Sequence, residues 1–248
     1  MRYDGPMIWK RGIAKLADTT TEALAETLWP TRCAICDMPG AVLCERCCAE
    51  LPYVDWWRAC KRCGSPFGLV QCDVCNPIGL SRLGIDHLPF EGCASAVHFC
   101  GDTGQIVRVF KDQGEQRLAV DMALIMARII PPEWDYEAVT YVPATLSAFR
   151  YRGYDHAELM ASALADKLGV RHIPTLNRPR TRDQRKLGSR ERISNLAGSF
   201  APRNTPEIPR SLILVDDVLT TGATLCAASR ALKQSGVEQV RCLTFARV

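Results

Sequence analysis

Residues 212–225 read LILVDDVLTTGATL, and this stretch decides the fold class. Four apolar residues predict a buried strand, which ends in two adjacent carboxylates, Asp216 and Asp217. A turn rich in hydroxyls and backbone N–H groups follows, and it runs into an alanine-rich helix. Its members are Thr220, Thr221, Gly222, Ala223 and Thr224. Carboxylates accept hydrogen bonds from a sugar diol, and a turn at a helix start binds phosphate through its unpaired donors. The stretch therefore favours a sugar phosphate as ligand.

The sequence around this stretch predicts an α/β fold. From Cys93 onward, predicted strands and helices alternate, which is typical of a parallel sheet flanked by helices. The predicted strands are CASAVHFC, EAVTYVP, SLILVDD and VRCLTFARV, and the principal helices are LAVDMALIMARII, HAELMASALADKLG and TLCAASRALKQSG. Pro131 and Pro132 end the first of these helices, and Gly169 ends the second. Residues 174–207 are rich in Pro and Arg and are predicted to form a long loop.

A second candidate anion site follows the strand EAVTYV. The loop that begins at Pro143 lies at the carboxyl end of that strand, where open parallel sheets bind their ligands. A pyrophosphate needs several donors and positive charge, and the forked guanidinium of arginine supplies both. The candidates for this site are Ala144, Thr145, Arg150 and Arg152. The alternative is a solvated pair of surface arginines.

At each position, residues 212–225 resemble the 5-phosphoribosyl-1-pyrophosphate (PRPP) motif of type I phosphoribosyltransferases. The resemblance implies that Asp216 and Asp217 hold the ribose hydroxyls and that the turn after them holds the 5′-phosphate. It also implies Mg²⁺ between the ribose hydroxyls and the pyrophosphate, in direct or water-mediated contact with Asp216 or Asp217. Arg150 and Arg152 would then stabilise the leaving pyrophosphate.

The resemblance narrows to one family, the competence-associated, phosphoribosyltransferase-like ComF proteins. Residues 150–161, RYRGYDHAELMA, resemble its signature, except that Asp155 stands where the family usually has Asn. Residues 98–119 resemble its first strand, helix and lysine turn, and residues 187–200 resemble a further family segment. The matching residues are Lys111 in the first, and Arg192, Asn195, Gly198 and Phe200 in the second. Membership implies a link to DNA uptake or processing, with single-stranded DNA or DNA-uptake and helicase proteins as partners.

Eight of the thirteen cysteines form four C-x-x-C pairs. The pairs are Cys33/Cys36, Cys44/Cys47, Cys60/Cys63 and Cys72/Cys75. Two pairs supply the four thiolates that structural Zn²⁺ prefers, so the pattern predicts two closed zinc ribbons with no catalytic role. Sequential pairing is the first choice. An interleaved pairing is the alternative, and Cys48 can replace Cys47.

The sequence predicts four segments. They are an N-terminal helical extension (1–32), a double zinc ribbon (33–76), a linker (77–92) and a phosphoribosyltransferase-like domain (93–248). Composition adds few constraints, because a net charge of +4 is too small to indicate nucleic-acid binding by itself. The sequence contains no apolar run near 18 residues and no apolar signal core, so we expect no transmembrane helix and a cytoplasmic protein.

The loop at residues 178–192 holds seven Arg or Lys residues and two acids. Three interpretations compete: a lid over a bound pyrophosphate, a contact for a nucleic-acid backbone, or a solvated loop. The candidates for ligand contact are Arg182, Gln184 and Arg192. Two functions follow from the whole chain. One is a phosphoribosyltransferase whose acceptor the sequence does not reveal, and the other is a non-catalytic nucleic-acid-binding or PRPP-sensing adaptor.

Overall fold

A computed structural model of the chain describes residues 30–177 and 199–248. Within these ranges the strands are β1 (Gly92–His98), β2 (Ala138–Tyr141), β3 (Arg171–His172), β4 (Leu176–Asn177), β5 (Ala201–Pro202), β6 (Ser211–Leu219) and β7 (Gln239–Arg247). Five of them form a parallel sheet in the order β1-β7-β6-β2-β3. The short strands β4 and β5 pair antiparallel, within the stretch predicted as a long loop. The prediction of an α/β fold with a parallel sheet is confirmed.

The helices of the described ranges are α1 (Glu45–Ala49), α2 (Pro77–Arg82), α3 (Gly101–Asp112), α4 (Leu118–Ala127), α5 (Leu146–Arg152), α6 (His156–Leu168) and α7 (Ala223–Gln234). Their ends follow capping rules. Asp155 caps the N-terminus of α6 by accepting from the backbone N–H of Ala157, and Gly169 ends that helix with φ +69°. Thr145 caps α5 in the same way through the N–H of Ala148. Thr145 and Asp155 each lie directly before a helix, at the end of a loop near the edge of the sheet.

Helices cover both faces of the sheet. Because strand side chains alternate between faces, Ile213, Val215, Leu243 and Phe245 pack with α3, α4 and α6. The intervening Leu212, Leu214, Val240 and Cys242 pack with α7 on the opposite face. Burying each such side chain stabilises the fold by about 1.5–3 kcal/mol. This core fixes β2 and β6 side by side, so the loops that follow them share one edge of the sheet.

The cysteine-rich segment pairs with the free edge of β1 through residues 52–54, which we call the clasp. Residues 52–54 run antiparallel to this strand: the N–H of Val54 donates to the carbonyl of Ala96 (2.9 Å), and the N–H of His98 donates to the carbonyl of Pro52 (2.8 Å). The cysteines before this segment pack into the core on the α3, α4 and α6 face, whereas those after it pack on the α7 face. The two modules therefore hold the sheet from both sides.

Residues 77–92, which the sequence predicts as a linker, contain α2 and part of the core. Leu80, Ile85 and Phe90 are buried with Cys60 and Cys75 of the second module. The domain boundaries stay a prediction. The predicted N-terminal helix and the basic loop at 178–192 lie outside the described residues. In the part of the chain that the structure covers, no helix is long and apolar enough to cross a membrane.

Candidate functional site

The two predicted anion sites meet at the carboxyl-terminal edge of the sheet. Tyr141 of β2 lies opposite Val215 of β6, and the N–H of Val142 donates to the carbonyl of Val215 (2.9 Å). Both chains leave the sheet within the next few residues. The loop at residues 143–145 therefore lies beside Asp216 and Asp217, which we call the acid pair.

The two members of the acid pair differ in their surroundings. Asp217 is only 4% exposed, and its Oδ2 forms an ion pair with Nζ of Lys111 and lies 3.6 Å from Nε2 of His156. Its Oδ1 accepts from the N–H of Val218 (2.7 Å). Asp216 is partly exposed, and its Oδ1 accepts from the N–H of Asp217 (2.9 Å). Asp217 thus contacts the ammonium of Lys111 and lies close to the imidazole of His156, whereas Asp216 is partly exposed to solvent.

This asymmetry separates the two carboxyl pKa values. Burial raises the pKa of Asp216 well above its ordinary value, and the charge of Asp217 raises it further. Burial acts on Asp217 in the same direction, but the ammonium of Lys111 outweighs it and lowers the pKa. Burial also lowers the pKa of His156, so its imidazole favours the neutral form. We therefore assign the negative charge of the pair to Asp217.

The turn after the acid pair, residues 220–224, is open to solvent. Thr220 and Thr221 are exposed, and α7 begins directly after Gly222. Gly222 has φ +82°, a left-handed conformation that favours glycine. The N–H of Ala223 donates to Oγ1 of Thr221 (3.4 Å), so an anion at this helix start would use the backbone N–H groups that follow. We call these five residues the threonine turn.

The loop at residues 143–145 is held by Asp155. The Oδ2 of Asp155 accepts from the N–H of Ala144 (2.7 Å), and its Oδ1 accepts from the N–H of Ala157 (3.1 Å). Both oxygens are therefore used as acceptors, whereas an asparagine has one acceptor oxygen. This geometry accounts for aspartate at the position where the family usually has asparagine. The N–H of Ala144 is committed to the protein, so the hydroxyl of Thr145 is the better candidate for ligand contact.

The two candidate arginines lie on different sides of α5. Arg150 is exposed to solvent. Arg152 is mostly buried, and its guanidinium lies 3.4 Å from Oδ1 of Asp112 and 3.5 Å from Nδ1 of His156. Arg150 can reach a ligand above the edge, whereas Arg152 joins the end of α3 to the start of α6. The loop candidates Arg182, Gln184 and Arg192 lie outside the described residues.

Several residues of the site become prominent only in the structure. Lys111 lies in the last turn of α3, and Tyr154 fixes that turn by donating from its hydroxyl to the carbonyl of Phe110. His156 lies between Arg152 and Asp217. The sequence signal for this arrangement is the run of residues 152–156, in which each side chain except that of glycine contacts a different part of the site.

The cysteines form two separate four-sulfur groups. The first cysteine module comprises Cys33, Cys36, Cys44 and Cys47, and the second comprises Cys60, Cys63, Cys72 and Cys75. Sequential pairing is therefore confirmed, and interleaved pairing is wrong. Cys48 lies outside both groups, with its sulfur 3.5 Å from the hydroxyl of Tyr53.

The spacing of the sulfurs fits one tetrahedral ion in each module. Sulfur atoms lie 3.7 Å apart for Cys36 and Cys44 and 3.4 Å apart for Cys63 and Cys72. A tetrahedral Zn²⁺ with ordinary bond lengths holds its sulfurs about 3.8 Å apart. Burial alone would raise the pKa of the Cys33 thiol, but backbone N–H groups of Cys36 and Cys44 lower it to about 6. These donors stabilise the thiolate that a metal requires.

Two contacts hold the second module against the sheet. Arg247, at the end of β7, is buried and donates from Nη1 to the carbonyl of Cys63 (2.7 Å). Gly64 has φ +69°, and a Cβ at this position would lie 2.7 Å from the carbonyl oxygen of Cys93. The backbone of the module thus approaches β1 at a distance that only glycine permits.

Metal analysis of the purified chain is expected to give about two zinc ions per molecule, one for each four-cysteine module. The measurement is elemental analysis of protein expressed without added metal and passed through a desalting column. Recovery of one ion would mean that only one of the two modules binds zinc. Recovery of none, with cysteines that oxidise readily, would contradict both.

A sequence model of the phosphoribosyl transferase domain matches residues 155–248. Competence protein F of Haemophilus influenzae is 37% identical over 115 residues, which are 43% of this chain and 49% of that protein. Competence protein ComFC of Streptococcus pneumoniae is 28% identical over 116 residues, 45% of this chain and 50% of that protein. The matches thus span about half the length of these two relatives. DNA utilization protein YhgH of Salmonella typhi is 26% identical over 230 residues, 86% of this chain and 96% of that protein.

Among solved structures, an adenine phosphoribosyltransferase shares 17% identity with this chain, with a TM-score of 0.33 over 57% of this chain and 75% of its own. The orotate phosphoribosyltransferase from Aeropyrum pernix shares 18% identity, with the same TM-score over 57% and 76%. The parallel sheet and the domain match define a phosphoribosyltransferase-like protein. The curated relatives include two competence proteins, so the comparisons agree with the narrower resemblance to ComF proteins.

Proposed function

We propose that the chain binds PRPP at the carboxyl-terminal edge of β2 and β6 and transfers its phosphoribosyl group with release of pyrophosphate. One observation carries the proposal. The register of Tyr141 against Val215 sets the acid pair and the open threonine turn beside the loop at residues 143–145. A diol acceptor, a phosphate site and a second anion site therefore share one edge, as a ribose with phosphates at both ends requires.

Each part of the ligand has a candidate partner. Asp216 and Asp217 accept from the ribose hydroxyls, and the threonine turn donates backbone N–H groups to the 5′-phosphate. Thr145 and Arg150 face the pyrophosphate, whose negative charge grows as its bond to ribose C1 breaks. The positive charge of Arg150 stabilises this growing negative charge most strongly when the site is closed to water, and we propose the basic loop at 178–192 as the cover.

The residues fit Mg²⁺ in part. Mg²⁺ takes oxygen ligands and keeps several waters, which suits the partly exposed Asp216 through a water-mediated contact. Asp217 fits less well, because it is buried and already paired with Lys111. When bound with the substrate, Mg²⁺ neutralises part of the pyrophosphate charge. We propose that it arrives with the ligand.

The test is calorimetric titration with PRPP and Mg²⁺ on the wild type, on Asp216→Asn/Asp217→Asn and on Asp73→Asn. Asp73 is an exposed carboxylate of the second cysteine module and serves as the matched control. We expect binding by the wild type and the control, and its loss in the double variant. Absence of heat in the wild type would end the proposal. Binding with no pyrophosphate release in the presence of small-molecule extracts would favour a sensor without turnover.

A second candidate function, binding of single-stranded nucleic acid, is favoured by a patch on the second cysteine module. Trp56, Trp57 and Phe67 are 51%, 58% and 65% exposed, which is unusual for large aromatic side chains. The guanidinium of Arg58 lies 4.5 Å from the ring centre of Phe67, and Lys61 is exposed nearby in the chain. Exposed rings beside cations are typical of surfaces on which bases stack. The relative YhgH of Salmonella typhi is named a DNA utilization protein, which supports this candidate.

This candidate is tested by tryptophan fluorescence during titration with an unstructured oligonucleotide. We expect quenching in the wild type and binding at least about tenfold weaker in Trp56→Ala/Trp57→Ala, since each stacked base contributes about 1–3 kcal/mol. Tyr151→Ala, which removes an exposed ring of α5, is the control. Equal affinity in the wild type and the double variant would exclude the patch. Binding that vanishes by about 0.2 M salt would show charge attraction alone.

A further inference from the structure

Three side chains at the acid pair form a metal-type site. His156, Asp216 and Asp217 each offer one ligand atom, and these atoms all lie within 4.8 Å of one another. One imidazole nitrogen and two carboxylates make a donor set that suits Mn²⁺ or another transition ion better than Mg²⁺. His156 and Asp217 are both buried, so water screens their charges only weakly.

The chain itself places a cation at this site. Nζ of Lys111 contacts Oδ2 of Asp217, the same oxygen that lies 3.6 Å from Nε2 of His156. Only 22% of the Lys111 side chain is exposed. Its backbone is held in turn, because the hydroxyl of Tyr154 lies 3.3 Å from the carbonyl oxygen of Lys111. The segment between α5 and α6 therefore holds the backbone of Lys111, and the carboxylate of Asp217 holds its ammonium.

We infer that Lys111 is the resident counter-ion of the acid pair and fills a latent metal site of His156, Asp216 and Asp217. A buried carboxylate requires a compensating charge, and the ammonium supplies it without a metal. A second cation close to the ammonium is repelled, so the site rejects free divalent ions while Lys111 stays in place. This accounts for the poor fit of Mg²⁺ to Asp217.

The pairing of Lys111 with Asp217 also affects ligand binding, a conclusion that rests on the proposed function. A ribose diol that reaches Asp217 competes with Lys111 for the same oxygen. Binding therefore moves the lysine away from the carboxylate, and its long side chain can turn towards a phosphate of the ligand. Lys111 is thus a positioning residue whose exposure depends on occupancy of the site.

The first experiment measures Mn²⁺ binding by electron paramagnetic resonance, using zinc-loaded protein without PRPP. The variants are Lys111→Met and Lys111→Met/His156→Gln. The control is Lys233→Met, because Lys233 pairs with Glu91 rather than with the acid pair. We expect Lys111→Met to bind one Mn²⁺ at least about 100-fold more tightly than the wild type, because a unit charge close to the ion has gone. The added His156→Gln change should remove most of this gain. Equal Mn²⁺ affinity in Lys111→Met and the wild type would overturn the inference.

The second experiment needs no variant and covers a failure of Lys111→Met to fold. Wild-type protein is acetylated briefly, and the modification of each lysine is measured by mass spectrometry. We expect Lys111 to be protected relative to the exposed Lys61. Equal reactivity of the two lysines without ligand would overturn the inference. Calorimetry that shows no PRPP binding would refute the proposed function but leave the Mn²⁺ result to decide on Lys111.

Discussion

Asp216→Asn and Asp217→Asn are expected to change the stability of the fold in opposite directions at neutral pH. Asp217→Asn should lower the free energy of unfolding by about 2–4 kcal/mol, because it leaves the ammonium of Lys111 without its carboxylate. Asp216→Asn should raise it, because the charged form of Asp216 is disfavoured by burial and by its neighbour. The measurement is urea unfolding of both variants and the wild type at pH 7.5.

The pH dependence follows from the directions of the two pKa shifts. The lowered pKa of Asp217 contributes stability above the ordinary aspartate value, which is lost as the pH falls through the folded-state pKa. The raised pKa of Asp216 acts oppositely: it costs stability as the pH rises through the folded-state value. The advantage of Asp216→Asn should therefore shrink on acidification, whereas the deficit of Asp217→Asn should shrink only in strong acid. Two variants with equal unfolding curves at every pH would contradict the asymmetry.

Cys63→Ser is expected to release the zinc of the second module and to lower the melting temperature by about 10 °C. Losing one of four thiolates weakens a structural zinc site by several kcal/mol, and about 3 kcal/mol corresponds to this shift in a chain of this size. The effect should spread beyond the module, because the carbonyl of Cys63 accepts from the buried guanidinium of Arg247. A module that unfolds leaves this buried cation without its acceptor.

Cys100→Ser is the matched control for this prediction, since Cys100 is exposed and lies outside both cysteine groups. Calorimetric melting and zinc analysis are made on the same samples. A Cys63→Ser protein that melts with the wild type while holding one zinc ion would show that the module is independent of the sheet. A protein that keeps two ions would refute the ligand assignment.

The parts of the molecule that the sequence predicts best depend on short-range patterns. The strand, acid pair and turn of residues 212–225 are contiguous, and the spacing within each C-x-x-C pair is set by local geometry. The strand order β1-β7-β6-β2-β3 depends on contacts far apart in the chain, which periodicity does not encode. The pairing of Lys111 with Asp217 is of the same kind, because it joins α3 to β6.

Two details were within reach of the sequence and were not predicted. Arg150 and Arg152 are two residues apart on a helix, so their side chains point to different sides of α5. The segment 77–92 is predicted as a linker, although Leu80, Ile85 and Phe90 carry the apolar surface of a packed segment.

The clasp of residues 52–54 on β1 has a consequence for metal starvation. These residues are held between the two cysteine modules, and they cover backbone N–H and carbonyl groups at the border of the sheet. If each module holds a zinc ion, as its four cysteines predict, loss of the ions would loosen the clasp and leave β1 as a template for pairing with another chain. Zinc supply would then govern whether newly made molecules stay apart or assemble edge to edge.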